Sequence, residues 1–468
     1  MTKDLTTGHV PRILLSFSLP LLLSTLLQQL YNIADSVIVG QFVGEAGLAA
    51  IGAAYPITLF FVAIATGASM GCSVVLSRLF GAGEHHRIYS AAFTALLSFA
   101  ILGLAVSLAG ILLSGPLMLL LHVPASVFAQ GKAYLAIYAV GVFAMLIYNA
   151  ASGIFTGLGD SRTPLYLLLT SSCTNVILDY IVVRFFHWGV VGAAWATTVS
   201  QFLAAVLAAA ILVGRLKRMG NGKSRARFDK AVLAEISRAS LPCIFQQTCV
   251  ACSHTIIQGL LNTYDTAVMA GYEAASKLHN FFYMSLNTVG TAFSAFTSQC
   301  LGARKYARIR QGFRVSTLFC LGCTVIVILL FQRFPTKLIG LFIDVQENPL
   351  VTEAGVNFMR IVSPVYLLVC FIVATGGLLR GVGRSTAFFI ETILEFLVRI
   401  IMCFVLTKAL ASYTGLMWAW YFGSSSGFLM CVGLTVHTYR KDIRHKENEH
   451  DASGDPELSD PASQAKNL

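Results

Sequence analysis

Residues 48–76 read LAAIGAAYPITLFFVAIATGASMGCSVVL and contain no Asp, Glu, Lys or Arg. A membrane-spanning helix needs about 20 mainly apolar residues, so this stretch is long enough to cross a bilayer. Working outward from it, we find similar apolar segments separated by short charged stretches. Together they predict twelve spans, near residues 13–39, 48–76, 91–113, 131–155, 164–186, 190–214, 236–262, 265–300, 312–331, 354–378, 386–408 and 414–439. The segment 265–300 is longer than one span, so we expect its helix to begin several residues after 265. The runs are too long for strands and lack alternation, so the fold class is an all-α integral membrane protein.

Composition agrees with this prediction. Hydrophobic residues make up 56% of the chain and charged residues 12%, whereas soluble domains carry about 25% charged residues. Most Lys and Arg residues fall in every second loop and at the two ends, which predicts a multi-pass plasma-membrane protein with both termini in the cytoplasm. The net charge of +11 then reflects topology and anionic membrane lipids, and no nucleic-acid partner is expected.

The sequence repeats itself about 220 residues apart. Leu79-Phe80-Gly81-Ala82 has its counterpart in Cys300-Leu301-Gly302-Ala303, and Ser18-Leu19-Pro20 recurs as Ser240-Leu241-Pro242. Gly157-Leu158-Gly159 recurs as Gly381-Val382-Gly383. Because each half has an even number of spans, the halves must be parallel repeats about an axis normal to the membrane. We therefore predict a six-helix lobe over 1–214, a basic cytoplasmic linker over 215–235, a second six-helix lobe over 236–440 and a disordered cytoplasmic tail over 441–468.

Three local features have competing interpretations. Pro20 and Pro242 either begin a helix, where proline is tolerated, or bend one. All eleven cysteines lie in or beside apolar segments, so we interpret Cys249-x-x-Cys252 and Cys320-x-x-Cys323 as core residues and not as metal or redox pairs. Gly222-Lys223-Ser224 ends like a Walker A loop, but Lys217 stands where the first glycine is needed. No catalytic motif remains, so we expect neither an enzyme nor a bound cofactor.

Ionisable side chains inside a span are costly and require an explanation. Asp35 in the first span and Asp179 in the fifth each precede the outer loop by eight residues, and Thr197 in the sixth follows it by eight. Asn175 lies one helical turn before Asp179, so both can face the same point. These four oxygen donors suit a sodium ion, a proton shared by two acids, or a hydrogen-bonded structural network.

The second half lacks this set. In the repeat, the position equivalent to Asp35 is Ile256 or Ile257, that of Asn175 is Arg399, and that of Asp179 is Cys403. It carries two other charged groups at i, i+4 spacing. Glu391, Glu395 and Arg399 are expected to neutralise one another within one helix, and Glu273 with Lys277 forms a second pair. The asymmetry predicts a single ion site, in the first half.

Several of these motifs resemble the multidrug and toxic compound extrusion (MATE) transporters, over roughly residues 10–440. The resemblance rests on Leu30-Tyr31-Asn32-Ile33-Ala34-Asp35, Leu48-Ala49-Ala50-Ile51-Gly52, Gly81-Ala82-Gly83, Gly157-Leu158-Gly159-Asp160 and Leu379-Arg380-Gly381. It implies a V-shaped pair of lobes that exports organic, often cationic, drug-like compounds in exchange for sodium ions or protons. In one branch of the family the ion binds in the N-terminal lobe, at positions that match Asp35, Asn175, Asp179 and Thr197.

The resemblance also indicates where substrate would bind. We expect aromatic and polar side chains of the first, second, seventh and eighth spans to line the cleft, among them Gln28, Tyr31, Gln246, Gln247, Glu273 and Lys277. Other family members use acids of the seventh and tenth spans, which this chain lacks. We expect a monomer. The alternative is a flippase for lipid-linked sugars, which shares the two-lobed plan but requires a more cationic cleft.

Overall fold

The computed structural model describes residues 3–219, 228–342, 349–444 and 447. The first half consists of α1 (Val10–Phe42), α2 (Glu45–Gly81), α3 (His85–Leu120), α4 (Ala125–Gly157), α5 (Arg162–Arg184) and α6 (Gly189–Met219). The second half consists of α7 (Lys230–Leu261), α8 (Thr266–Gly302), α9 (Tyr306–Arg333), the short α10 (Pro335–Ile339), α11 (Pro349–Val362), α12 (Tyr366–Gly381), α13 (Ser385–Leu410) and α14 (Thr414–Thr438). Every regular element in these described residues is helical, so the predicted fold class is confirmed.

Each of the twelve predicted spans coincides with a helix, and the tenth coincides with two. There a 3-10 turn at Ser363–Val365 joins α11 to α12. Pro364 has no N–H to donate to the carbonyl of Arg360, and the side chain of Gln332 donates to that carbonyl instead, at 2.9 Å. We treat α11 and α12 as one span, and eight spans of the described chain are long and apolar enough to cross a membrane.

One detail of the prediction was wrong, and one alternative that the sequence left open is decided. The eighth span was expected to start several residues after 265, but α8 begins at Thr266, where the Asp265 carboxylate caps the Ala267 N–H at 2.7 Å. Pro20 and Pro242 do not begin helices, since both lie inside α1 and α7. Each proline therefore removes a backbone hydrogen bond in the middle of a helix.

The outer limits of the lobes stay a prediction. Residues 215–219 and 230–235 belong to α6 and α7, and 220–227 of the predicted linker lie outside the described residues. Residues 439–444 form a π-helical turn. The rest of the predicted disordered tail, apart from Glu447, also lies outside them.

The two halves are built alike at the level of single contacts. A methyl group added to Gly153 of α4 would lie 2.7 Å from the Ser69 carbonyl of α2, and one added to Gly377 of α12 would lie 2.7 Å from the Gly290 carbonyl of α8. Gly157 and Gly381 approach Ser73 and Ser294, one turn further along, in the same way. The repeated glycines therefore allow the second and fourth spans of each lobe to touch backbone to backbone.

The first helix of each lobe begins against the other lobe. The start of α1, with Leu14 and Phe17, belongs to a buried cluster with Phe293 and Phe296 of α8. The start of α7, with Val232 and Ile236, belongs to the core of the first lobe. Further along, α1 packs on α5 and α7 packs on α13. A movement of α1 against its own lobe is therefore transmitted to the other.

Candidate ion site in the first lobe

Three helices bring the predicted polar residues together. Asn175 and Asp179 lie one turn apart on the buried face of α5 and are 1% and 0% exposed. The Asn175 amide donates to the Thr197 hydroxyl of α6 at 3.4 Å. The Asp35 carboxyl of α1 is close enough to Asp179 for the two acids to interact. The structure thus places all four predicted residues around one point.

The oxygens of this cluster are largely unpaired. Asp35 Oδ1, Asn175 Oδ1 and both carboxylate oxygens of Asp179 accept no well-aligned hydrogen bond from any residue that the structure describes. Buried carboxylates are stable only when they are paired, hydrogen-bonded or neutralised by a bound ion or proton. A merely structural network would be expected to satisfy these atoms.

Three tyrosines enclose the cluster. Tyr31 of α1 faces Asp35, Asp179 and Thr197. Tyr134 and Tyr138 of α4 stack on each other at 6.0 Å between ring centroids. Both face Asp35. Tyr134 and Tyr138 were not predicted as site residues; their i, i+4 spacing placed them on one face of α4, but nothing in the sequence showed that this face meets α1.

The donor set limits what can bind. No group of three or more His, Cys, Asp and Glu residues arranged for a metal ion occurs in the described part of the chain. Two carboxylates with an amide and a hydroxyl oxygen form a hard, weakly charged set, which fits a sodium ion or a proton better than a transition metal. The residues present therefore fit the coupling ion that the sequence suggested.

The six predicted cleft residues occupy different environments. Gln28 is exposed, Gln247 is half-buried, and Tyr31 belongs to the ion site. Gln246 is buried and offers no open surface in this conformation. Glu273 faces Gln258 of α7 and Tyr55 of α2, between the lobes. Lys277 lies 5.9 Å over the ring of Phe342.

Both ion pairs predicted in the second half need correction. Between Glu273 and Lys277, both of which are described, no contact within 4 Å forms, because the Lys277 amine turns toward the Phe342 ring. In α13, Arg399 donates to Glu395 but makes no ion pair with Glu391, although all three side chains are described. The i, i+4 spacing aligns Arg399 with only one of the two acids.

Two matching helical bundles, the first of which buries a pair of carboxyl groups, are a common architecture of membrane transporters. The family model MatE matches residues 20–181 and again 242–405, which together exceed half of the chain. The chain therefore belongs to the MatE family; its members are transporters and not enzymes.

Individual relatives are distant but cover most of the chain. The chain is 25% identical to the probable multidrug resistance protein YoeA of Bacillus subtilis over 74% of its length and 77% of the relative's. It is also 25% identical to an FAD transporter of Shewanella oneidensis, over 77% and 79%. An outward-facing multidrug resistance MATE transporter structure superposes with a TM-score of 0.87 at 20% identity, covering 94% of this chain and 98% of that one. This superposition confirms the two-lobed fold.

Proposed function

We propose that this protein is an antiporter of the cell membrane that exports organic, mainly cationic compounds in exchange for sodium ions or protons. The proposal is supported most directly by the buried, unpaired oxygens of Asp179 beside Asp35. Relatives named as multidrug resistance and multidrug export proteins favour drug-like substrates. No relative named here favours the flippase alternative, so we do not adopt it.

The coupling ion acts by neutralising the acid pair. Two ionised carboxylates that face each other in a dry interior repel, and a sodium ion or proton between them removes that repulsion. Binding then draws α1 toward α5 and α6, with Asn175 and Thr197 supplying neutral oxygens. Because the start of α1 is packed on α8, this movement changes the fit of the two lobes.

Ion and substrate must influence each other equally. If the ion favours the conformation that releases substrate, then substrate weakens ion binding by the same factor. Export of substrate against its concentration gradient follows when ions enter the cell from outside and substrate leaves the cell. The distribution of Lys and Arg favours cytoplasmic termini, so substrate is taken from the cytoplasm.

The test is gradient-driven transport by proteoliposomes loaded with ethidium, an organic cation. Site coupling of about 1–3 kcal/mol corresponds to roughly 5- to 150-fold, so we expect Asp35→Asn and Asp179→Asn each to lower export at least about fivefold. Asp265→Asn is the matched control, because Asp265 is an exposed helix cap and Asn caps equally well. Replacing the sodium gradient by a pH gradient identifies the ion. Wild-type export by both Asp variants would show that the cluster is structural.

A further inference from the structure

The second lobe buries a carboxyl group that its predicted partner does not neutralise. Glu391 of α13 is 0% exposed. Its Oε1 accepts no hydrogen bond from the described residues. Its Oε2 lies 3.4 Å from the Thr392 hydroxyl, but that hydroxyl has a better acceptor in the Phe388 carbonyl, at 3.0 Å. Glu391 is therefore almost unsolvated by the protein around it.

The neighbouring acid, by contrast, is satisfied. Glu395 accepts hydrogen bonds from Arg399 and, at 3.1 Å, from the Ser424 hydroxyl of α14. The central carbon of the Arg399 guanidinium also lies over the Trp420 ring, 4.0 Å from its centroid. Arg399 is thus held by Glu395 and Trp420, and it does not turn toward Glu391.

Glycines on α14 make room for these charged side chains. A methyl group added to Gly427 would lie 2.5 Å from Glu391 Oε1 and 3.3 Å from Glu395 Oε2. One added to Gly423 would lie 3.1 Å from Arg399 Nε. The two carboxyl groups therefore converge on one spot of α14, where an added side chain would require Glu391 Oε1 to shift.

The positive charges that could balance an ionised Glu391 do not form an ion pair with it. Arg380 of α12 is buried beside the Phe388 ring, and it forms no ion pair with Glu391 within 4 Å among the described residues. The other titratable groups on the packed helices are Tyr283 of α8, Cys431 of α14, and on α7 Cys243 near Arg380 and His254 near Arg399. An ionised Glu391 is poorly solvated, whereas a protonated Glu391 leaves Arg380 without a counter-charge. Both states carry a cost, and this is the condition for reversible proton binding rather than a permanent acid.

This group is not a copy of the first-lobe site. Asn175 and Asp179 correspond to Arg399 and Cys403 in the repeat, and Glu391 lies three turns, about 18 Å, from Cys403 along α13. Its contacts are with α12 and α14. The corresponding surface of the first lobe carries Leu167 in place of Glu391.

We propose that Glu391 is a proton-binding site of the second lobe, which takes up and releases one proton reversibly. On uptake, an O–H bond forms between a carboxylate oxygen of Glu391 and a proton from water, and the side-chain charge changes from −1 to 0. On release, that bond breaks and the proton returns to water, while Arg399 and Arg380 remain as the positive charges that act on Glu391. The site is independent of the first-lobe ion and goes beyond the proposed function.

The test measures the carboxyl group itself, by infrared difference spectroscopy of the purified full-length protein in lipid nanodiscs. Using the Asp35→Asn/Asp179→Asn background removes the first-lobe acids, so failure of the proposed function does not affect the result. We expect one protonated-carboxyl C=O band that disappears reversibly as pH rises. The band should be absent in Glu391→Gln and present in Glu353→Gln, an exposed Glu on α11 that serves as the matched control.

Two results would overturn the proposal. One is a band that is missing at every pH, which would mean that Glu391 stays ionised. The other is a band that persists at every pH, which would mean a permanent structural acid. Gly427→Ala guards against misfolding of Glu391→Gln, because it keeps the acid but crowds Oε1. We expect Gly427→Ala to shift the band position without removing it, and an unchanged band would also contradict the geometry.

Discussion

At the scale of single residues, each lobe has an ion pair at an equivalent place, but the acidic and the basic residue have exchanged positions. Asp160, just before α5, accepts hydrogen bonds from Thr163 Oγ1 at 2.6 Å and from Arg215 near the end of α6. Arg384, just before α13, binds Asp442 after α14 at 2.6 Å. Positions 160 and 384 are separated by the same 224 residues as the glycine repeats, so the repeat preserves the link between two helices and not the sign of each charge.

Asp160→Asn tests the strength of this link. Removing one partner of a buried ion pair costs about 3–5 kcal/mol, and because Arg215 is partly exposed we expect the lower end of that range. Thermal unfolding in detergent should show a clear fall in melting temperature at neutral pH. Asp229→Asn, at the cap of α7, is the control and should change it little, since Asn caps as well as Asp. Equal melting temperatures would show that the pair is dispensable.

The same pair predicts a pH dependence. Burial of Asp160 opposes ionisation, but hydrogen bonds from Thr163 and Arg215 outweigh it and hold the pKa of Asp160 below its ordinary value. A lowered folded-state pKa stabilises the protein above the unfolded value of about 3.9, and this stability is lost as pH falls further through the folded-state pKa. The difference in melting temperature between wild type and Asp160→Asn should therefore be constant above about pH 5 and shrink below about pH 4. A difference that grew on acidification would contradict this sign.

At the scale of helices, the repeated glycines at the ends of α2 and α8 decide how the lobes meet. A methyl group on Gly81 would collide with the Gln299 carbonyl, and one on Gly302 would collide with the Arg78 carbonyl. The two equivalent helix ends thus touch backbone to backbone, each through a glycine. Residues 3–8 lie beside this contact, since the Leu5 N–H donates to the Gln299 side chain at 3.0 Å.

Gly302→Ala should separate these helix ends. Overpacking costs typically about 1–3 kcal/mol, which corresponds to roughly 5- to 150-fold in a local opening equilibrium. We expect hydrogen exchange of peptide 3–8, followed by mass spectrometry, to accelerate by such a factor. Gly322→Ala in α9 is the matched control, because a methyl group there meets nothing within 4 Å. Unchanged exchange in Gly302→Ala would show that this contact does not hold the lobes together.

At the scale of the whole molecule, one face closes between the lobes through a buried amide and a short N-terminal segment. Gln299 of α8 donates to the Gly157 carbonyl of α4 at 2.9 Å and accepts from Leu5. The Lys305 amine binds the Thr6 carbonyl at 2.9 Å, and Arg308 binds the Gly8 carbonyl at 2.8 Å. The Lys3 N–H donates to the Gly159 carbonyl at 3.4 Å, so residues 3–8 are bonded to both lobes and this side of the molecule is closed.

Exposed ion pairs also cross this face, but they contribute less. Glu235 at the start of α7 binds Arg78 at 2.6 Å and Arg87 at 3.6 Å, with all three side chains about a third or more exposed. Surface pairs of this kind are worth about 0–1 kcal/mol. Leaving the partners of a buried amide unpaired costs about 1–3 kcal/mol for each group. The hydrogen bonds of the buried Gln299 side chain, and not the surface ion pairs of Glu235, should therefore determine whether this face stays closed.

Cys300 offers a native reporter for this comparison. It is fully buried in the closed face beside Gln299. We expect Gln299→Ala to accelerate modification of Cys300 by N-ethylmaleimide about tenfold or more, since about 1.4 kcal/mol corresponds to tenfold, whereas Glu235→Gln leaves it near the wild-type rate. Cys431, buried inside the second lobe, serves as the internal control in the same digest. If Glu235→Gln accelerated Cys300 modification more than Gln299→Ala, the surface ion pairs would be what keeps this face closed.

The amino-acid sequence alone determined the helices, the duplication and the first-lobe cluster. Helices in lipid must satisfy their own backbone, so apolar length is enough to locate them. Asn175 and Asp179 share a face because residues four apart always do, and their depth could be counted from the loops. The apolar lengths and the shared face of Asn175 and Asp179 are properties of single helices, and the structure agrees with both.

Only the tertiary structure decided which helix faces which. Tyr134 and Tyr138 enclose the candidate ion site because α4 turns the face that carries them toward α1. Glu391 stays unpaired because Trp420 contacts Arg399 and Ser424 donates to Glu395, which keeps these two side chains together. The prolines of α1 and α7 proved to lie inside helices that begin against the opposite lobe. Spacing within a helix sets which side chains can meet, but the packing of one helix on another sets which of them do, because each contact depends on residues of a second helix.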